Sequence, residues 1–118
     1  MNRIELIHYK NKEIIRSDFR GLTDDDDLIA FLSKLFQYMK DIERPVRRLT
    51  LIEGVYFTPK VMAQLPKVTN ELQSMIIKDA VIGVHGVKRI LLQAYNAIIP
   101  DRVKAFSNEE DAKDWLVL

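Results

Sequence analysis

The stretch AVIGVH, residues 80–85, constrains the fold of this 118-residue chain more than any other segment. It is a nearly continuous apolar run, with one glycine inside it and another directly after it. A strand without polar alternation is typical of the middle of a sheet, where both faces are covered. The rest of the chain must therefore supply neighbouring strands and the helices that cover them.

Two alternating runs open the chain and predict the first strands. In RIELIHYK and EIIRSDFR, apolar residues alternate with charged ones, which is the period of two expected of half-buried strands. The link YKNKE is short and polar, and its Asn11 can take a left-handed turn conformation. We predict an antiparallel hairpin, closed by Gly21.

Four segments have helical signals. The first, LTDDDDLIAFLSKLFQYMKDIE, begins at Thr23 as N-cap. The second, TPKVMAQLPKVTNELQSMII, begins at Thr58 and is interrupted by Pro66, which predicts a kink. The third and fourth are VKRILLQAYNAII and SNEEDAKDWLVL, the last of them capped by Ser107. The predicted buried stripe of the first helix is Leu28, Phe31, Leu32, Leu35, Phe36 and Met39.

The order of these segments predicts the fold class. RRLTLIEG, AVIGVH and RVKAF supply three more strands, each separated from the next by a helix. Strands that alternate with helices pair in parallel through right-handed crossovers. The fold class is therefore α/β: a mixed four- to five-stranded sheet, with an N-terminal antiparallel hairpin and then parallel strands, and about four helices. The length and the absence of repeats or linkers predict one domain over residues 1–118.

Charge and composition exclude several classes of function. The 18 basic and 17 acidic side chains leave a net charge of +1, so no global field draws the chain to nucleic acid. Without cysteine there is no disulfide, thiolate metal site or cysteine nucleophile. No run has the length of a signal peptide or approaches the ~18 apolar residues of a membrane span. We expect a cytoplasmic domain.

Three stretches carry a resemblance to a known family. They are KNKEIIRSDFRGL at the hairpin, AVIGVHG at the end of the buried strand, and FSNEEDAKDWL at the closing helix. With them the chain resembles the small bacterial SpoIIAA-like proteins, single domains of the STAS type. The resemblance covers most of the chain and implies a four- or five-stranded sheet flanked by helices, without catalysis. For this group it implies binding of apolar molecules, or association with membranes, in preference to partner-switching.

The resemblance also singles out Thr58. STAS domains that antagonise anti-sigma factors are switched by phosphorylation of a serine at the helix start after the third strand. Here that turn reads GVYFTPKVM, and the expected serine pair and glycine are missing. Thr58 is the candidate regulatory hydroxyl on this turn, besides Tyr56. The departure disfavours a phosphoserine switch of the usual kind.

The turn GVHGVK has two interpretations. Its glycines are too close together for a P-loop, and it does not match the dinucleotide fingerprint. It can be a plain strand-to-helix turn, with Gly83 allowing close helix packing and Gly86 the tight turn. It can also be an anion site formed by Gly83, His85, Gly86, Lys88 and Arg89, because the free N–H groups of a helix start attract a carboxylate or phosphate.

The loop GVYFTP is the second candidate. Val55, Tyr56 and Phe57 are apolar where loops are usually polar, so they either pack under the second helix or line the mouth of a pocket. Both candidate turns follow strands that we expect to be parallel and adjacent, and open α/β sheets hold ligands at such strand ends. An apolar lip beside an anion-seeking helix start suits an amphipathic molecule with an acidic head.

The remaining features point to the fold and to no further site. DDDD lacks the spaced oxygens of a calcium loop and is interpreted as a charged helix start. His8 and His85 have no evident third ligand, so we predict no metal site and no cofactor. No Gly-x-Ser-x-Gly motif accompanies His85 as a general base. The basic clusters ERPVRR and KR lack interleaved aromatic residues, which disfavours nucleic-acid binding.

These observations favour a non-catalytic binding module over an enzyme. Its predicted ligand is a small apolar or amphipathic molecule with an acidic head, bound in solution or at a membrane surface. The alternative is a protein-interaction or regulatory domain that acts through its helix faces and the loop at Tyr56 and Phe57. A homodimer is compatible with both functions, and hydrolase or transferase chemistry is the least supported class.

Overall fold

The computed structural model describes residues 2–64, 74–84 and 103–118, and these contain a mixed five-stranded sheet. Its strands are β1 (Ile4–Tyr9), β2 (Lys12–Asp18), β3 (Val46–Leu51), β4 (Ile76–Ile82) and β5 (Val103–Phe106). They lie side by side in chain order. β1 and β2 are antiparallel, and every later neighbour is parallel. The predicted hairpin followed by parallel strands is confirmed.

The hairpin turn is tight because two consecutive residues adopt left-handed conformations. Lys10 has φ +49° and Asn11 has φ +66°. Positive φ at both central residues is the requirement of a type I′ turn, whose twist matches that of the strands it joins. The prediction for Asn11 is confirmed, and Lys10 shares its conformation. Gly21, with φ +87°, follows the hairpin as expected.

Three helices lie in the described residues: α1 (Asp25–Ile42), α2 (Pro59–Met62) and α3 (Glu109–Leu116). The third predicted helix, residues 87–99, lies outside them, as does Pro66. α1 buries the predicted stripe, except that Phe36 is half-buried. None of the described helices is long and apolar enough to cross a membrane.

The boundary between the second predicted helix and β4 was wrong. Ile76 and Ile77, which follow a helical spacing in the sequence, belong to β4, and β4 ends at Ile82 rather than at residue 85. Ile76 pairs with Val46 and is only 2% exposed. A β-branched residue in this place gains more from the ladder and the core than from continuing a helix.

Two helix caps lie one residue beyond their predicted positions. Asp24, not Thr23, caps α1 by accepting a 2.7 Å hydrogen bond from the Asp26 N–H. Asn108, not Ser107, caps α3 by accepting one of 2.9 Å from the Asp111 N–H. Residue type alone does not distinguish two adjacent residues that can both act as caps. The backbone conformation determines which of the two side chains reaches the free N–H groups.

The sheet is covered by helices on both faces. α1 and α2 pack on one face, which we call the α1 face, around Ile15, Val46 and Val81. α3 packs on the other, the α3 face, over Ile14 and Leu49. Neighbouring strand residues point to opposite faces. The consecutive, fully buried Ile14 and Ile15 therefore serve two separate cores, as a strand covered on both sides requires.

The position of the α1 cap can be tested with two alanine substitutions. Asp24→Ala removes the acceptor for the Asp26 N–H and should lower the free energy of unfolding by about 1 kcal/mol. Thr23→Ala, at the exposed neighbouring position, should change it by less than about 0.5 kcal/mol. Urea unfolding monitored by circular dichroism measures both, and a larger loss from Thr23→Ala would contradict this assignment.

Candidate functional site

The carboxyl ends of β3 and β4 meet at one edge of the sheet, as predicted. Leu51 of β3 pairs with Ile82 of β4, the last residue of each strand. The next residue, Ile52, donates its N–H to the Ile82 carbonyl at 2.9 Å. The loop from residue 52 to residue 58 and the turn that begins at Gly83 therefore leave the sheet side by side.

Two features require glycine at position 83: the backbone conformation there and the closeness of the adjacent loop. Its φ of +99° lies in the left-handed region, where side chains are rarely found. A Cβ at this position would collide with the backbone of Glu53 in the adjacent loop. Gly83 was predicted to allow close packing of a helix, but the close approach that it allows is between the two loops of the candidate site. His85, Gly86, Lys88 and Arg89, the rest of the predicted anion site, lie outside the described residues.

The three side chains of the apolar triplet at residues 55–57 differ in their burial. Val55 is 2% exposed and belongs to the core of the α1 face. Phe57 is half-buried, and its ring centroid lies 6.5 Å from that of Phe19. Tyr56 is 70% exposed. Val55 therefore anchors the loop, Phe57 lies at its margin, and Tyr56 presents its ring to the solvent.

Thr58 has a structural role at the start of α2. Its Oγ1 accepts a 3.3 Å hydrogen bond from the Val61 N–H, and Pro59 follows at the first helical position, as predicted. The side chain is only half-buried, so the hydroxyl caps the helix at the surface. Lys60, in the same turn, forms a 3.0 Å ion pair with Asp26 and thereby ties α2 to the start of α1.

Two arginines near this edge are already paired with carboxylates. Arg16 binds both oxygens of Glu109, at 2.8 and 3.1 Å, and Arg20 binds both oxygens of Asp18, at 2.9 Å each. The hydrogen bonds from these arginines lower the pKa of Glu109 and of Asp18. The charges of these two arginines are therefore locally balanced.

Sequence reasoning missed a buried polar cluster on the α1 face. Asp79 accepts a 2.8 Å hydrogen bond from Arg48 Nη2 at one oxygen and a 2.9 Å bond from Thr50 Oγ1 at the other. Arg48 Nη1 also lies 3.7 Å from the Met39 sulfur of α1. Arg48 is 8% exposed and Asp79 is 1% exposed. The available signal was an aspartate inside the apolar strand IIKDAVI.

The cluster supports the fold and offers no open site for a substrate. Burial raises the pKa of Asp79, and the charge of Arg48 together with the hydrogen bonds from Arg48 and Thr50 opposes that rise. Arg48, Thr50 and Asp79 are all buried, and Arg48 reaches Met39 of α1. In the described part of the chain, no three histidine, aspartate or glutamate side chains are grouped to hold a metal ion.

Comparison with other proteins adds no relative. No known family, curated protein or solved structure matches this chain. The candidate site is therefore defined by its own geometry: two adjacent strand ends, a glycine that permits their contact and an exposed aromatic ring.

The contact at Gly83 predicts unequal effects for two glycine substitutions. Gly54→Ala places a side chain at φ +75° in open space and should cost about 1 kcal/mol of stability. Gly83→Ala adds a collision with the Glu53 backbone and should cost roughly 1–3 kcal/mol more. Urea unfolding of the two variants gives the comparison. Equal losses would show that the two loops do not need this close approach.

Proposed function

We propose that this chain is a non-catalytic binding domain of the SpoIIAA-like, STAS type, acting in the cytoplasm. Its ligand is a small apolar or amphipathic molecule with an acidic head, bound at the carboxyl edge of β3 and β4. The observation that supports this proposal is the juxtaposition of the apolar loop with the Gly83 turn. Open α/β sheets bind ligands at such strand ends.

The apolar part of the ligand contacts Tyr56 and the outer edge of Phe57. Tyr56 exposes 70% of its surface, and covering an aromatic side chain of this kind stabilises a complex by roughly 1.5–3 kcal/mol. Phe57 is backed by Phe19, so its ring is held in place before the ligand arrives. A lip of this kind favours an acyl or aromatic tail over a polar one.

The acidic head binds the turn that continues from Gly83. The proposed groups are the N–H groups of residues 86–89 and the side chains of Lys88 and Arg89, which the sequence places at a helix start. Arg16 and Arg20 already bind carboxylates, so the proposal assigns the head to this turn rather than to those two arginines. The same chemistry suits a free acid or the acidic head of a lipid at a membrane surface.

A second candidate function is a protein-interaction or regulatory domain without the usual phosphoserine. The exposure of Tyr56 favours it, because tyrosine is enriched at the centres of protein interfaces. Phosphorylation of Thr58 would place negative charge at the start of α2, beside Lys60. In this case the loop binds a partner protein, and no small molecule accompanies the purified domain.

The first test is native mass spectrometry of the protein purified from its own cells, with chemical analysis of an organic extract. Ligand binding predicts a stoichiometric adduct that the extract identifies as an acid with an apolar tail. A protein with no adduct, which also fails to bind added dodecanoate, would contradict ligand binding and favour the interaction domain.

A matched pair of variants locates the site. Tyr56→Ser removes an exposed ring from the proposed lip, and Leu118→Ser removes an exposed apolar side chain, 86% accessible, at the end of the chain. We expect Tyr56→Ser to weaken dodecanoate binding by about tenfold, with unchanged stability, and Leu118→Ser to have no effect. Equal affinities in the two variants would place the ligand elsewhere.

A further inference from the structure

β1 forms one edge of the five-stranded sheet that the structure describes, and β5 forms the other. β5 is four residues long and carries the exposed Lys104, and both its short length and its lysine discourage pairing with another chain. β1 is six residues long, with no lysine or proline and no bulge in its ladder with β2. Of the two edges, β1 is therefore the one open to a further strand.

The hairpin shows which backbone groups of β1 point away from β2. Tyr9 and Lys12 flank a two-residue turn, so they form a hydrogen-bonded pair. Such pairs alternate along an antiparallel ladder, and the Asp18 N–H accordingly donates to the Arg3 carbonyl at 2.8 Å. The groups that fall between these pairs point outward, and they are the N–H and C=O groups of Ile4, Leu6 and His8.

The side chains of β1 carry both apolar cores to this edge. Ile4 and Leu6 pack against the core of the α1 face, and Ile7 and Tyr9 pack against that of the α3 face. All four are only half-buried. A strand added beside β1 would therefore bury apolar surface on both faces of the sheet, in addition to completing the backbone ladder.

A second copy of β1 fits this edge through a two-fold axis, because one pairing then covers the open edge of both copies. Outward backbone groups must meet outward groups, so the axis passes through a residue and not between two residues. An axis through Glu5 would place two carboxylates opposite each other, and an axis through Leu6 would leave them on the diagonal. An axis through Ile7 separates the carboxylates and brings two isoleucines into the closer, non-hydrogen-bonded kind of pair.

The axis through Ile7 also places Glu5 near positive charge. Among the described residues, no ion pair includes Glu5. In this register Glu5 lies opposite Tyr9 of the second copy, whose ring centroid is 5.3 Å from Lys10 Nζ and 5.9 Å from Lys113 Nζ. Asp114 is held at the far end of that ring, by the hydroxyl. Each Glu5 is thus set beside a ring flanked by two lysines, and the symmetry repeats the contact.

We propose that β1 is the dimer interface of this chain, and that it pairs with β1 of a second copy in antiparallel orientation about an axis through Ile7. Leu6 of each copy exchanges both backbone hydrogen bonds with His8 of the other, and the sheet continues through the dimer. β2 separates this interface from β3 and β4, whose carboxyl ends carry the candidate loops. The proposal goes beyond ligand binding and does not depend on it.

Proline at position 8 tests the backbone pairing. The His8 N–H points away from β2 and the side chain is 70% exposed, so His8→Pro removes an interface donor without removing a hydrogen bond to β2. His8→Ala is the matched control, because it keeps the N–H. In sedimentation equilibrium we expect His8→Pro to raise the dimer dissociation constant at least about thirtyfold and His8→Ala less than about threefold.

Two results of that experiment would overturn the proposal. One is a wild-type chain that stays monomeric at about 1 mM. The other is equal dissociation constants for the two variants, each folded by circular dichroism, because the outward N–H at position 8 would then have no part in the dimer.

Hydrogen exchange of the wild-type protein tests the same pairing without any substitution. The amides of Leu6 and His8 face solvent in a monomer, so their exchange should slow at least about tenfold as the protein concentration rises through the dissociation constant. The amide of Ile7, which is bonded to β2 in either state, is the internal control. Exchange at Leu6 and His8 that does not slow, or that slows only when a different protein is added, would give the edge no second copy and would overturn the proposal.

A single cysteine tests the register, because the chain contains none. Ile7→Cys places two thiols opposite each other across the axis, about 4.5 Å apart at their Cα atoms and within reach of a disulfide. Glu5→Cys, on the same face of β1, is the matched control, since its two thiols lie on opposite sides of the axis. Under mild oxidation Ile7→Cys should form the cross-linked dimer at least about tenfold faster. Equal or faster cross-linking of Glu5→Cys would overturn the proposed axis.

Discussion

The parallel pairing of β3 with β4 determines where the other parts of this chain can lie. Each of these strands has a neighbour on both sides, and each is covered on both faces. On the α1 face the pairing is bridged by Arg48 and Asp79, which lie opposite each other in the strand register. A shift of either strand by one residue would turn its charge toward the apolar floor beneath α3 and leave the other charge behind on the α1 face. The buried ion pair therefore ties the register to the position of α1.

That register also defines the candidate site. Once Arg48 lies opposite Asp79, Leu51 lies opposite Ile82, and the two following loops must emerge together. Gly83 then meets the backbone of Glu53, a contact that only glycine tolerates. Tyr56 is exposed in the loop that follows β3, and the neighbouring Val55 is buried in the core. The exposed Tyr56 is thus positioned by buried groups, which is how a rigid sheet can hold a surface loop in place.

The sequence predicted those features that depend on local periodicity. The hairpin, the stripe of α1 and the parallel strands follow from spacing alone, and Asn11, Thr58 and Pro59 follow from local backbone preferences. The boundary at Ile76 was missed because the helical and extended patterns overlap there, and pairing with Val46 decides between them. The Arg48–Asp79 pair was missed because it joins residues on different strands, and no local pattern records which strands are neighbours. Similarly, the sequence did not show that Val55 is buried and Tyr56 exposed, because the difference depends on which of them meets the core.

A double-mutant cycle on Arg48 and Asp79 tests the central claim, that this pair fixes β3 on β4. Arg48→Met leaves the buried Asp79 carboxylate without the guanidinium that pairs with it, and Asp79→Leu removes the carboxylate that accepts from Arg48 Nη2. Each substitution breaks a buried ion pair and should lower the free energy of unfolding by roughly 3–5 kcal/mol. The double variant removes both charges, so its loss should be far smaller than the sum of the two single losses. Single losses below about 1 kcal/mol, or losses that simply add, would contradict the account, because the register would then be held by the apolar contacts alone.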